Sequence, residues 1–211
     1  MKRSGLKRWG SKLRGLIAAI VSLLFVANAN ASVVLNGVVV DPKNVVRAPL
    51  LTQALQAWNA TPEARRERLA IVDFALPSTT RRFHIVDLRT GDVESYLTAH
   101  GRGSDPGHDA IAERFSNTSG SNASSLGAYL SLSRYMGVHG LSLRLKGLDA
   151  AQNSNAELRA IVLHSAPYMD ADWRRTHGRP GRSFGCFVVE TPLIEHMVTR
   201  LENGVLIFAG R

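Results

Sequence analysis

The chain has 211 residues and only one cysteine, Cys186. A lone thiol cannot close an internal disulfide, so the fold does not rest on such staples. Long apolar runs are just as scarce. The one near the N-terminus, "LIAAIVSLLFVA" from Leu16 to Ala27, reaches about 18 Å as a helix, against a hydrocarbon core of about 30 Å. No stable membrane span is therefore expected. The first 31 residues also lack acids, while carrying Lys2, Arg3, Lys7, Arg8, Lys12 and Arg14. A basic start, a short apolar run and Ala29-Asn30-Ala31 make the pattern of an export signal, with cleavage expected after Ala31.

Without residues 1–31 the formal charge falls from +9 to +3 over 180 residues. The high isoelectric point thus belongs mostly to the leader and gives no ground for a nucleic-acid partner. Mild positive charge on an exported chain suits an anionic polymer such as cell wall. The sequence has no internal repeat, and its length fits one domain with an adequate core. An unpaired thiol in an oxidising compartment is a liability, so Cys186 calls for a reason.

What is present reads as mostly β with packed helices, an α+β class. Leu51, Leu55 and Trp58 share a helical face over 49–59, and Thr61-Pro62 offers the start of a second helix through "EARRERL". Residues 32–68 are accordingly expected as an N-terminal helical extension, and 69–211 as the main domain. Within it, "AIVDFAL", "RRFHIVDL", "VESYLTAH", "GAYLSLSRYMG", "LSLRLKGL", "RAIVLHS", "GCFVVE" and "GVLIFAG" read as strands, and "TPLIEHMVTRLENG" as a helix closed by Gly204. The segment 101–127, with five Gly and six Ser in 27 residues, is too long for an ordinary connection. It is expected to border a cleft.

His164 closes one of these strands, and Cys186 follows Gly185 at the start of another. An imidazole beside a thiol can lower its pKa and relay its proton, and a glycine lets backbone amides approach an oxyanion. Those parts suffice for acyl transfer through a thioester. Bland alternatives stand beside them: Cys186 as a small buried residue, His164 as a rim histidine, His139 as a strand-end residue. Arg102, Arg179 and Arg182 fit carboxylate binding or a solvated basic surface, and Tyr129 and Tyr168 fit core or cleft wall.

The ordered series "DFALPSTTRRFHIVDLRTGDV", "AHGRGS", "RFSN", "SSLGAY", "HGLSLRLKGLD", "HSAPY" and "HGRPGRSFGCFVV" resembles the murein L,D-transpeptidase catalytic domain family, YkuD-type, YkuD_2 branch. The resemblance runs from about residue 69 to 209. It implies a YkuD-like β-sandwich or barrel domain and a periplasmic enzyme that acts on peptidoglycan stem peptides, donor and acceptor, without metal or cofactor. It implies Cys186 as nucleophile and His164 as base. Gly185 with the Cys186 amide would belong to the oxyanion site, and the Ser183 carbonyl would orient the histidine. Arg102, Arg182, Phe184, Tyr168 and His139 are the expected substrate-binding residues.

Three positions depart from the commoner family form. Phe184 replaces a histidine, Val188 replaces an arginine, and Ser165 replaces the glycine after His164. These leave open whether the product is a 3→3 link, a 1→3 link or an attached protein. Rival readings are an L,D-carboxypeptidase, a non-catalytic wall-binding module, and a metallopeptidase built from His100, His108, Asp109, His139 and His164. No recognised ligand spacing supports the last.

Overall fold

Residues 33–211 are described by the computed structural model; the expected export signal and its expected cleavage after Ala31 lie outside the described residues. The described chain opens with "VVLNGVVV", in which Asn36 and Gly37 take left-handed φ values of 50° and 82°. That turn closes a two-stranded hairpin of β1 (Val33–Leu35) and β2 (Val38–Val40). Asn-Gly is the dipeptide this turn favours, because both central residues need positive φ. A single helix follows, α1 (Ala48–Asn59), with Pro49 in its first turn.

The second helix anticipated after Thr61-Pro62 does not form. The Trp58 indole donates to the Arg65 carbonyl at 2.8 Å, the Arg65 amide donates to Gly204 at 2.8 Å, and Arg66 lies over the Trp58 ring. These partners hold 62–67 as a turn leading into the sheet. The segment expected as a helical extension therefore contains a hairpin and one helix.

Eight strands form the main sheet: β3 (Arg68–Asp73), β4 (Phe83–Asp87), β5 (Val93–Tyr96), β6 (Gly127–Gly137), β7 (Gly140–Gly147), β8 (Val162–Ser165), β9 (Phe187–Val189) and β10 (Leu206–Gly210). Their order is β5-β4-β3-β10-β6-β7-β8-β9. Neighbours are antiparallel except β3 with β10 and β8 with β9. The mostly β class with packed helices is the one observed.

β3 shows why its sequence is apolar without alternation: both of its faces are covered. Leu69 and Ile71 pack with Leu50, Leu55 and Trp58 of α1. Ala70 and Val72 point the other way, into a core with Met197, Val198 and Leu201 of α3 (Ile194–Leu201). Phe187 of β9 sits in that same core, its ring 5.2 Å from Tyr129, 6.2 Å from Phe74 and 6.4 Å from Phe83. Strands β4 and β9, far apart in sheet order, are thus joined through one aromatic cluster, which requires the sheet to curl on itself. Phe187 anchors the residue before it, Cys186.

Between β8 and β9 lies α2 (Ala171–His177), which periodicity did not reveal; it ends on Gly178 in the left-handed region. The segment 101–127 has no helix or regular strand before β6, only a bridge from Gly101 to Ser183.

Candidate functional site

Side chains alternate between the faces of a strand, so the register of β7, β8 and β9 decides which groups meet. Leu143, Leu163 and Phe187 line up on the inner, core face. Ser142, His164 and Val188 line up on the outer face. Cys186 precedes Val188 by two residues, so its side chain shares that face. His164 and Cys186, the residue just before β9, are diagonal to each other across this parallel pair, about 8 Å apart between Cα atoms by one strand spacing and two residues of rise. Val188, where a cation was expected in the commoner form, is fully buried and lies across from His164.

The imidazole is oriented by its own strand. His164 Nδ1 lies 2.9 Å from the Ser165 carbonyl. A carbonyl only accepts, so Nδ1 carries the proton and Nε2 keeps its lone pair. The ring also stacks on His139, with centroids 4.2 Å apart and 16° between planes. Burial holds the His164 pKa below its ordinary value; the Ser165 carbonyl opposes this and His139 adds to it.

The sulfur of Cys186 lies 3.6 Å from the Ala160 carbonyl. Burial raises the thiol pKa, while the Val162 amide and the Arg159 guanidinium pull it down. The resting pair is therefore a neutral thiol and a neutral imidazole. Tyr168 packs in the same small cluster as Cys186, Ala99, Met169 and Val188. Its hydroxyl is pushed far up by burial and by Cys186, so it remains a donor.

The turn before the thiol is closed by Ser183. Its hydroxyl donates to the Cys186 carbonyl at 2.8 Å and accepts the Gly185 amide at 3.1 Å. Gly185 sits at φ 116°, and a Cβ there would lie 2.7 Å from the Ala123 carbonyl oxygen. Two expectations change. The Ser183 carbonyl accepts from the Arg102 amide at 2.8 Å instead of facing His164; that orienting role falls to Ser165. The Gly185 amide is occupied by Ser183, so the turn leaves the Cys186 amide to face an oxyanion.

The expected substrate-binding arginines divide. Arg102 is exposed, with its guanidinium 4.5 Å over the ring of Phe184, itself 63% exposed. Arg182 instead donates to the Asp105 carbonyl and braces a loop. His100 is buried, 2.9 Å from Arg82 at Nδ1 and 3.0 Å from Asp105 at Nε2. His108 faces the Pro180 carbonyl. Among the described residues no three His, Cys, Asp or Glu side chains converge as a metal site.

Arg159 escaped sequence reading. It donates to the carbonyls of Ser116 and Ala123 and to the hydroxyls of Ser125 and Ser121. The long segment 101–127 is thereby tied against the turn that precedes Cys186. A charge at the entry to a buried strand was the available signal.

A thiol and an oriented imidazole on one sheet face, with a glycine turn before the thiol, make a candidate site for thiol-imidazole chemistry. The chain belongs to the L,D-transpeptidase catalytic domain family, whose sequence model matches residues 42–209. Solved structures similar to it include an L,D-transpeptidase from Mycobacterium smegmatis (14% identity, 69% of this chain and 59% of that one, TM-score 0.42). Two from Mycobacterium tuberculosis are also similar: one at 14% identity, 69% and 58% coverage and TM-score 0.42, and L,D-transpeptidase 3 at 13%, 69%, 61% and 0.43. The match thus spans less than two thirds of the length of these structures. No curated protein matches the sequence. No described helix is long and apolar enough to cross a membrane.

Proposed function

We propose that the protein is a periplasmic peptidoglycan L,D-transpeptidase in which Cys186 is the nucleophile and His164 the base. The observation that carries this is the register of β8 and β9, which sets His164 diagonal to Cys186 on one face of the sheet, with Nδ1 held by the Ser165 carbonyl and Nε2 left unprotonated. The basic leader followed by an apolar run and Ala29-Asn30-Ala31 supports export.

Because both groups rest neutral, proton transfer accompanies attack. Nε2 takes the thiol proton as the sulfur bonds to the donor carbonyl carbon. The Cys186 amide and the Tyr168 hydroxyl face the oxyanion. Collapse breaks the carbon–nitrogen bond, and His164 returns the proton to the leaving amine. The acceptor amine then attacks the thioester and gives a proton to Nε2. The carbon–sulfur bond breaks, and that proton restores the thiol. Arg102, stacked on Phe184, holds a donor carboxylate. The product is a stem-to-stem link of 3→3 or 1→3 type.

The test incubates mature protein with muropeptides and, separately, with a carbapenem, reading products and intact mass. Cross-links and a covalent adduct are expected, both lost in Cys186→Ser and strongly reduced in His164→Ala. Full cross-linking by Cys186→Ser would end the thiol mechanism. Hydrolysis without cross-links would replace the transpeptidase by an L,D-carboxypeptidase.

A further inference from the structure

The outer face that carries Cys186 and His164 continues onto β7. Arg144 pairs with Val162 across β7 and β8, and Val162 lies one step before the Leu163–Phe187 pair of β8 and β9. Arg144, Val162 and Cys186 therefore form one row across three strands, with Arg144 about 10 Å from the nucleophile at two strand spacings. A cavity of about 330 Å³ opens along this row, walled by Tyr135, Arg144, Glu157, Ala160, Ile161 and Val162. The Ala160 carbonyl in that wall is the group against which the Cys186 sulfur rests.

Two charges in the cavity have no work in the fold. The Arg144 guanidinium is held 4.0 Å over the Tyr135 ring, which fixes the group without using its N–H donors. Among the described residues neither Arg144 nor Glu157 forms an ion pair, with each other or elsewhere. An arginine alone would take any anion, phosphate included. A carboxylate in the same wall disfavours a dianion and suits a small group bearing both charges. The volume is at the small end of ligand cavities, the size of an amino-acid head and too small for a whole peptide.

The placement separates two sides of the thiol. Gly101 bridges to Ser183 outboard of β9, so Arg102 lies beyond the nucleophile segment, whereas Arg144 lies on its β7 side. Two arginines thus flank Cys186 from opposite directions, as a reaction that joins two molecules requires.

We propose that the Arg144–Glu157 cavity is the acceptor subsite and takes an amine whose own carbon also bears a carboxylate, with Arg144 holding the carboxylate and Glu157 the ammonium. Its role as acceptor subsite rests on the transpeptidase reading above; the binding of an α-amino-acid head does not.

The experiment is an NMR titration of the mature, isotope-labelled protein with alanine, alaninamide and propionate, which carry both charges, the ammonium only and the carboxylate only. Alanine is expected to shift the Ala160–Val162 amides and to bind about tenfold more tightly than either single-charge probe, as loss of one charge-assisted contact implies. Arg144→Gln should weaken alanine about tenfold, Glu157→Gln should weaken it similarly, and Arg144→Lys should restore part of the loss. Unchanged spectra away from the cavity show that each variant folds. Equal affinity for the three probes, unmoved Ala160–Val162 amides, or an Arg144→Gln variant that binds like wild type would each overturn the proposal. Because the titration needs no acyl-enzyme, a protein that binds alanine but never cross-links muropeptides would sink the transpeptidase reading and leave this site standing.

Discussion

The imidazole of His139 lies flat on the imidazole of His164, 4.2 Å away, although the two belong to different elements. His139 stands in the turn between β6 and β7, so a hairpin tip reaches His164 from outside its own strand. The stack limits rotation of the His164 ring, and His139 adds to the depression of the His164 pKa. A base works only while neutral, so activity falls as pH drops through that pKa. His139→Ala removes both effects. The acid limb of kcat/KM should move to higher pH, and kcat should fall roughly tenfold as the ring loses its orientation. His139→Phe keeps a stacked ring without the charge and should shift the limb while retaining most of kcat. An unchanged pH profile in His139→Ala would remove His139 from the mechanism.

Gly185 is the point where backbone conformation and space both demand glycine. Its φ is 116°, and an added Cβ would meet Ala123 and Ile161 atoms within 3 Å. Gly185→Ala is expected to cost about 1–3 kcal/mol of local strain and to displace the Cys186 amide. Acylation by a carbapenem, followed by intact mass, should slow by at least about tenfold, and the melting temperature should fall by about 2–10 °C. Wild-type acylation by this variant would show that the turn tolerates a side chain.

His100 makes stability depend on acidity. Arg82 donates to Nδ1, so the ring's remaining proton lies on Nε2 and faces Asp105. Burial first, then the Arg82 charge, depress the His100 pKa to about 4, while Asp105 opposes the shift and Arg182 adds to it. The unfolded chain gains this proton near pH 6.5 and the folded one near pH 4. The contribution is therefore complete above pH 6.5 and is lost as pH falls toward 4, with a size of about 3 kcal/mol. Asp105, itself held below the usual carboxylate range by the His100 contact and the Asp109 and Ala110 amides, stays charged in that window. Melting temperatures should drop from pH 7 to pH 4.5, and His100→Gln should flatten that slope. His84 and His164, also depressed by burial, leave a residual slope. A His100→Gln curve parallel to wild type would refute the assignment.

How much of this was legible in the sequence follows from what each feature depends on. The strand pattern of β3, β4 and β10 and the helices α1 and α3 rest on side-chain periodicity, which a sequence displays. Cys186 and His164 stood out because both residue types are chemically distinctive. The roles of Ser165, Ser183 and Gly185 rest on where carbonyls and amides point, and no residue letter records that. The Asn36-Gly37 turn was visible as a dipeptide but lay in a stretch too short to assert a hairpin by periodicity. Thr61-Pro62 had the chemistry of a helix start, and the contacts of Arg65 with Trp58 nearby and with the distant Gly204 overrode it. The composition of 101–127 said only that it was a loop. Its order comes from groups outside it, above all Arg159.

Arg159 is expected to act on both the loop and the thiol. Its guanidinium donates to Ser116 at 2.6 Å, to Ser125 at 2.9 Å and to the Ala123 carbonyl. The same Ala123 oxygen faces Gly185, so the contact joins the loop to the turn before Cys186. Each hydrogen bond from a charged donor contributes about 1.5–3 kcal/mol, and acceptors left buried add to the cost. Arg159→Met should therefore destabilise the protein by roughly 2–4 kcal/mol and speed amide exchange across residues 103–125 before the sheet loosens. The positive charge also favours the Cys186 thiolate against the upward pull of burial. In wild type the alkylation rate with iodoacetamide should rise with pH to a midpoint above the ordinary 9.0 of a thiol, and in Arg159→Met that midpoint should move higher still. Arg159→Lys, which keeps the charge but not the fork of donors, should restore much of the alkylation profile and little of the exchange protection. If both variants exchange like wild type, the loop is held by its own serines and Arg159 is a bystander.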